Sequence, residues 1–106
     1  MSPLLSLPFG RRPAAPPVPP PDQPRRFVLY HFDACPYCVK VRRAAARLGL
    51  ELPLADTRRD PAAARTLRAA TGGTQVPCLF IDDVPLLESD DIVDYLEAYA
   101  RAHPPG

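Results

Sequence analysis

The chain has 106 residues, 16 of them proline, and a formal net charge of +1, which limits it to one domain of ordinary size. No apolar stretch approaches the roughly 20 residues that cross a bilayer, so a spanning helix is excluded. Four arginines against Asp22 give residues 1–26 a charge of +3, while nine basic against eleven acidic groups give residues 27–106 a charge of −2, which argues against a nucleic-acid binder.

Nine of the prolines lie in residues 1–26. Such a segment lacks the amides that a helix or a central strand needs. Residues 1–26 therefore read as a Pro-rich, disordered tail, and residues 27–106 as the folding unit, long enough for one core. The apolar patch at residues 4–9 precedes Arg11-Arg12, the reverse of a signal peptide's order. With no export signal read, the expected compartment is the cytoplasm, where cysteines are more often reactive or metal-binding than structural disulfides.

Residues 27–32 form an apolar, β-favouring run that suits a strand buried on both faces. Asp33-Ala34 leads into Cys35-Pro36-Tyr37-Cys38, and Cys38, Val41, Ala45 and Leu48 then recur at helical spacing over 36–48, with Gly49 as the stop. Residues 50–55 read as a second strand. Asp60-Pro61 starts a helix with Ala63, Leu67 and Ala70 on one face, ended by Gly72-Gly73. Residues 76–81 read as a central strand, Asp82-Asp83 as a turn and residues 84–87 as a strand that Pro85 places at an edge. Ser89-Asp90-Asp91 opens a last helix whose buried stripe is Ile92, Leu96 and Tyr99. The order is β-α-β-α-β-β-α, an α/β fold.

Cys35 falls where a strand meets a helix N-terminus. Unpaired amides and the helix dipole stabilise an anion there, and the thiolate is the reactive form of cysteine. Cys38 lies one turn on, on the same side, and can attack a mixed disulfide formed at Cys35. A Cys-x-x-Cys pair that follows a strand and opens a helix is a strong thiol-redox signal. A structural zinc site needs about four ligands; only one cysteine pair is present, and His31 and His103 are poorly placed to complete it. No metal is expected, and Cys78 reads as a small core residue.

With these motifs in order, residues 27–102 resemble the glutaredoxins. The features are Cys35-Pro36-Tyr37-Cys38, the Gly72-Gly73 turn, Thr74-Gln75-Val76-Pro77, and Glu88-Ser89-Asp90-Asp91-Ile92. The resemblance implies a thioredoxin fold, with a four-stranded mixed sheet flanked by three helices. It implies a glutathione-dependent thiol–disulfide oxidoreductase with Cys35 as nucleophile and Cys38 as the resolving thiol. It further implies a cis Pro77 that leaves the Val76 backbone to pair with glutathione. Tyr37 would border the sulfur. Ser89 and Asp90 would offer helix amides to the γ-glutamyl carboxylate, and Gln75 and Glu88 complete the implied glutathione site. Glutathione is then a co-substrate with no tightly bound cofactor. The implied partners are glutathionylated or disulfide-containing proteins; no nucleic acid, no membrane and a monomeric state are expected.

Two positions depart from that pattern. Phe32 stands where many glutaredoxins have a lysine, so Lys40, Arg58 and Arg59 are the candidates to supply the cation. Glu88-Ser89 replaces the paired glycines common there, and it looks like the N-terminal domain of glutathione S-transferases, as does Gln75-Val76-Pro77-Cys78-Leu79. Transferase activity is not expected from a sequence without the helical second domain. Two other functions stay open: a glutathione-ligated iron–sulfur cluster module, which Pro36-Tyr37 disfavours, and a thioredoxin-like reductase driven by a flavoprotein.

Overall fold

A computed structural model describes residues 17–18 and 23–104. Its elements are β1 (Phe27–His31), α1 (Pro36–Arg47), β2 (Leu54–Asp56), α2 (Pro61–Thr71), β3 (Cys78–Ile81), β4 (Val84–Leu87) and α3 (Ser89–Ala102). The sheet order is β2-β1-β3-β4. Strand β1 runs parallel to β2 and antiparallel to β3, and β3 is antiparallel to β4. The sheet is thus mixed, with three helices, as expected, and Pro85 lies in an edge strand where its missing amide breaks no inner ladder.

Strand alternation sorts the core into two layers. Phe27, Leu29, Leu79 and Ile81 pack with Val41 and Ala45 of α1 and with Ile92, Tyr95, Leu96 and Tyr99 of α3. The intervening residues Tyr30, Cys78 and Phe80 pack with Ala63 and Leu67 of α2. Successive side chains of a strand point to opposite faces, so β1 and β3 must be apolar throughout when helices cover both. Cys78 is fully buried in the α2 layer, as expected of a core residue.

Several expected boundaries shift. Strand β1 ends at His31 rather than at residue 32, and α1 ends at Arg47, with Leu48 as its cap. The second strand occupies only Leu54–Asp56, not 50–55. Leu50 and Leu52 pack on the core from the connecting segment, which imitates a strand's alternation without its ladder. Strand β3 begins at Cys78, not Val76; Pro77 has no amide to give the ladder. In α2, Ala63 and Leu67 are buried but Ala70 is exposed, and the stripe continues through half-buried Thr71.

The Asp82-Asp83 turn joins β3 and β4 with φ of 47° and 69°, the positive values that a two-residue hairpin of right-handed twist requires. Two arginines from the segment before β1 clamp it. Arg25 Nη1 donates to Asp82 Oδ2 at 2.8 Å, the Arg26 amide to Asp82 Oδ1 at 2.8 Å, and Arg26 Nη2 to Asp83 Oδ2 at 2.6 Å. Asp82 is held below the usual carboxylate range by the hydrogen bond from Arg25, reinforced by the Arg26 amide. The Arg25 amide reaches Tyr99 Oη at 3.1 Å, its guanidinium reaches the Pro17 carbonyl at 2.8 Å, and Val18 packs on the core. Residues 17, 18, 25 and 26 thus contact the domain. The rest of the tail expected over 1–26 lies outside the described residues.

Candidate functional site

The strand-to-helix junction after β1 builds the thiol end of the site. The Cys35 amide donates to the Phe32 carbonyl at 3.1 Å, which closes the turn. Cys35 then serves as N-cap of α1, with extended backbone, and its Sγ accepts the Cys38 amide at 3.3 Å. An oxygen usually fills this role. Here a sulfur does, so an amide of α1's first turn, that of Cys38, is aimed at the atom whose anion is the reactive form. Pro36 occupies the first helical turn, where no amide is missed.

Both cysteines of the pair are buried. Cys38 is fully buried, and burial, followed by its hydrogen bond with Cys35, pushes its thiol up to about 12. It therefore stays protonated at neutral pH. Burial also pushes Cys78 up to about 12, and its place in the α2 layer keeps it from solvent. All three cysteines are free thiols.

Beside the junction lies an open cleft of ≈ 430 Å³, lined by Tyr37, Gln75, Val76, Pro77, Glu88, Ser89 and Asp90. These are seven of the eight residues that the resemblance assigns to glutathione, gathered from α1, the loop before β3 and the start of α3; the eighth, Lys40, is not in the lining. The Val76–Pro77 bond is cis. Tyr37 is 63% exposed, a large apolar face left uncovered at the rim. Glu88 is the N-cap of α3 with φ of 77°, and no side chain caps the helix. The first amides of α3, at Ser89 and Asp90, thus open on the cleft with the positive end of the helix dipole behind them. The two carboxylates of the cleft have partners: Gln75 Nε2 donates to Glu88 Oε2 at 3.1 Å, and Lys40 Nζ pairs with Asp90 Oδ1. Helix amides beside carboxylates suit a ligand end that carries both a carboxylate and an ammonium group.

The three candidate cations separate. Lys40 stands outside the cleft lining but reaches its rim through Asp90. Arg58 lies over the Phe32 ring, 3.7 Å from its centroid, an attraction between cation and ring face. The two border a smaller hollow that also includes Thr57 and Thr74. Arg59 pairs with Asp33 at 3.0 Å and approaches Asp56 at 3.9 Å. The sequence reading missed the cluster that Arg59 contacts: His31, Asp33 and Asp56 offer ligand atoms within 4.8 Å of one another. The signal was His31-x-Asp33 at the end of one strand and Asp56 at the end of another, but only the parallel register of β1 and β2 brings them together.

The family described as "Glutathione S-transferase, N-terminal domain" matches residues 29–104. Among solved structures, a thioredoxin-like protein matches with a TM-score of 0.60 at 20% identity, over 70% of this chain and 97% of its own, which establishes the shared fold. A glutaredoxin from Brucella melitensis matches with a TM-score of 0.54 at 25% identity, over 69% of this chain and 79% of its own. A rice transferase solved in complex with glutathione matches with a TM-score of 0.63 at 26% identity, over 76% of this chain; this chain spans only 35% of the transferase. No curated protein sequence matches. No helix among the described residues is long and apolar enough to cross a membrane.

Proposed function

We propose, for a chain that belongs to the glutathione S-transferase N-terminal-domain family, a glutathione-dependent thiol–disulfide exchange centred on Cys35. The fold is thioredoxin-like and related to glutaredoxins and to glutathione-binding transferases. What carries the finer reading is Cys35 as the sulfur cap of α1 with Cys38 one turn behind it. A transferase that only activates glutathione has no use for a second, protonated thiol in that position. An oxidoreductase does.

The exchange proceeds in two displacements. The Cys35 thiolate attacks the glutathionyl sulfur of a protein mixed disulfide; the Cys35–glutathione disulfide forms, and the protein sulfur leaves as a thiolate. A second glutathione thiolate then attacks the glutathionyl sulfur, releasing glutathione disulfide and restoring Cys35. The amide of Cys38 stabilises the Cys35 thiolate at the start and as leaving group at the end. With a protein disulfide, Cys38 instead loses its proton, attacks the Cys35 mixed disulfide and closes an intramolecular disulfide.

The cleft holds the glutathione. Its γ-glutamyl carboxylate would sit on the α3 amides and its ammonium group against Asp90 or Glu88, while the Val76 backbone pairs with the cysteinyl unit. The partners are then glutathionylated or disulfide-bearing proteins in a reducing cytoplasm. The test is glutathione-coupled reduction of a mixed disulfide by wild type, Cys35→Ser and Cys38→Ser. The reading expects activity in wild type and Cys38→Ser and none in Cys35→Ser. Loss in both variants points to thioredoxin-type dithiol chemistry instead.

A further inference from the structure

We propose that His31, Asp33 and Asp56 form a binding site for a first-row divalent metal ion of the zinc type, separate from the glutathione cleft. Two of the donors are set by the sheet itself. His31 and Asp56 are direct partners across the parallel β1–β2 pair, and the Thr57 amide donates to the His31 carbonyl at 2.9 Å, which locks that end of the register. Asp33 follows two residues after His31, in the turn that leads to Cys35.

The histidine supplies the evidence that this is more than an acidic patch. His31 is 3% exposed, and its Nδ1 is buried with no hydrogen-bond partner. A buried imidazole nitrogen without a partner is costly, and a cation is one group that satisfies it. Asp56 is already oriented: its Oδ1 accepts the amides of Arg58 and Arg59 at 2.9 Å and 3.0 Å, which leaves Oδ2 for another charge.

That other charge is a guanidinium. Arg59 pairs with Asp33 Oδ2 at 3.0 Å and lies 3.9 Å from Asp56 Oδ2. Its side chain is 77% exposed, so it can swing away. The donor atoms lie within 4.8 Å of one another, against roughly 3.3 Å for neighbouring ligands of a tetrahedral zinc with bonds near 2.0 Å. Rotation of Asp33, 54% exposed in its side chain, provides the contraction. One imidazole and two carboxylates, with a fourth position open to water, favour zinc or cobalt(II) over calcium or magnesium, which prefer all-oxygen shells.

The test uses the full chain with Cys35→Ser and Cys38→Ser, since a dithiol also binds zinc. Zinc is titrated while the imidazole resonances of the two histidines are followed by NMR. The expected result is one saturable equivalent that shifts His31 and leaves His103 in place. In that background Asp33→Asn, a change at an exposed side chain, weakens zinc binding at least tenfold, and Arg59→Gln strengthens it because the competing cation is gone. An unmoved His31, or an affinity indifferent to both substitutions, overturns the proposal.

Discussion

Helices α2 and α3 both begin beside the sheet, yet their first turns are finished differently. Asp60 caps α2 in the usual way, its carboxylate accepting the Ala62 amide at 3.0 Å. Helix α3 begins at Glu88, at a φ of 77° and with no side-chain cap, and its first turn lines the cleft. Helix α1 stands between them: it is capped, but by the sulfur of Cys35. A helix start that serves only the fold closes on itself. The two starts that face the site keep amides for a sulfur or for a ligand, and α3 accepts backbone strain to do so.

Substitutions at the three caps set this comparison at risk. The largest effect belongs to Cys35→Ser. The hydroxyl is a good cap, so stability should stay close to wild type while mixed-disulfide reduction falls to the uncatalysed background. A large loss of stability by denaturant titration would assign Cys35 a structural role instead. Next comes Glu88→Gly. Glycine accepts φ of 77° without a Cβ penalty, so stability should rise by about 1 kcal/mol. The carboxylate that Gln75 holds is lost, so the KM for glutathione should rise several-fold with the thiol chemistry intact. A variant less stable than wild type contradicts the strain argument. Asp60→Ala should cost about 1 kcal/mol and leave the KM for glutathione unchanged, since that cap serves only the fold.

The smallest effect near neutrality is in pH dependence. The Cys38 and Cys78 thiols are pushed from 9.0 to about 12 in the folded chain, by burial above all. In the unfolded chain they ionise near 9.0, so the stability their neutral forms contribute is complete below that pH. It is lost as pH rises from 9 towards 12. Denaturant titrations across this range should show that decline, and a Cys38→Ser/Cys78→Ser variant should show it reduced. An equal slope in both proteins would place the alkaline sensitivity elsewhere.

What was legible in the sequence was what local patterns encode. The double-faced apolar runs of β1 and β3 require helices on both sides of the sheet, and the seven cleft residues follow from three short motifs. What was not legible depended on pairing at a distance. The alternation of Leu50, Leu52 and Leu54 imitates a longer strand, but only Leu54–Asp56 finds β1 as a partner. The clamp of Arg25 and Arg26 on Asp82 and Asp83 joins charges more than fifty positions apart. The meeting of His31 with Asp56 needs the parallel register, which no motif carries. Glu88 was assigned to the site, but its positive φ, and hence the uncapped start of α3, has no signature in a glutamate.

The central claim is that Cys35 receives glutathione in a cleft built from the start of α3 and the loop at Pro77. The most direct measurement is mass spectrometry of the Cys38→Ser chain after exposure to glutathione disulfide. Without the resolving thiol the exchange should stop at a single glutathione adduct, located on Cys35 by peptide mapping, and Glu88→Gly in the same background should slow its formation. No adduct, or an adduct carried by Cys78 with Cys35 free, would contradict the account.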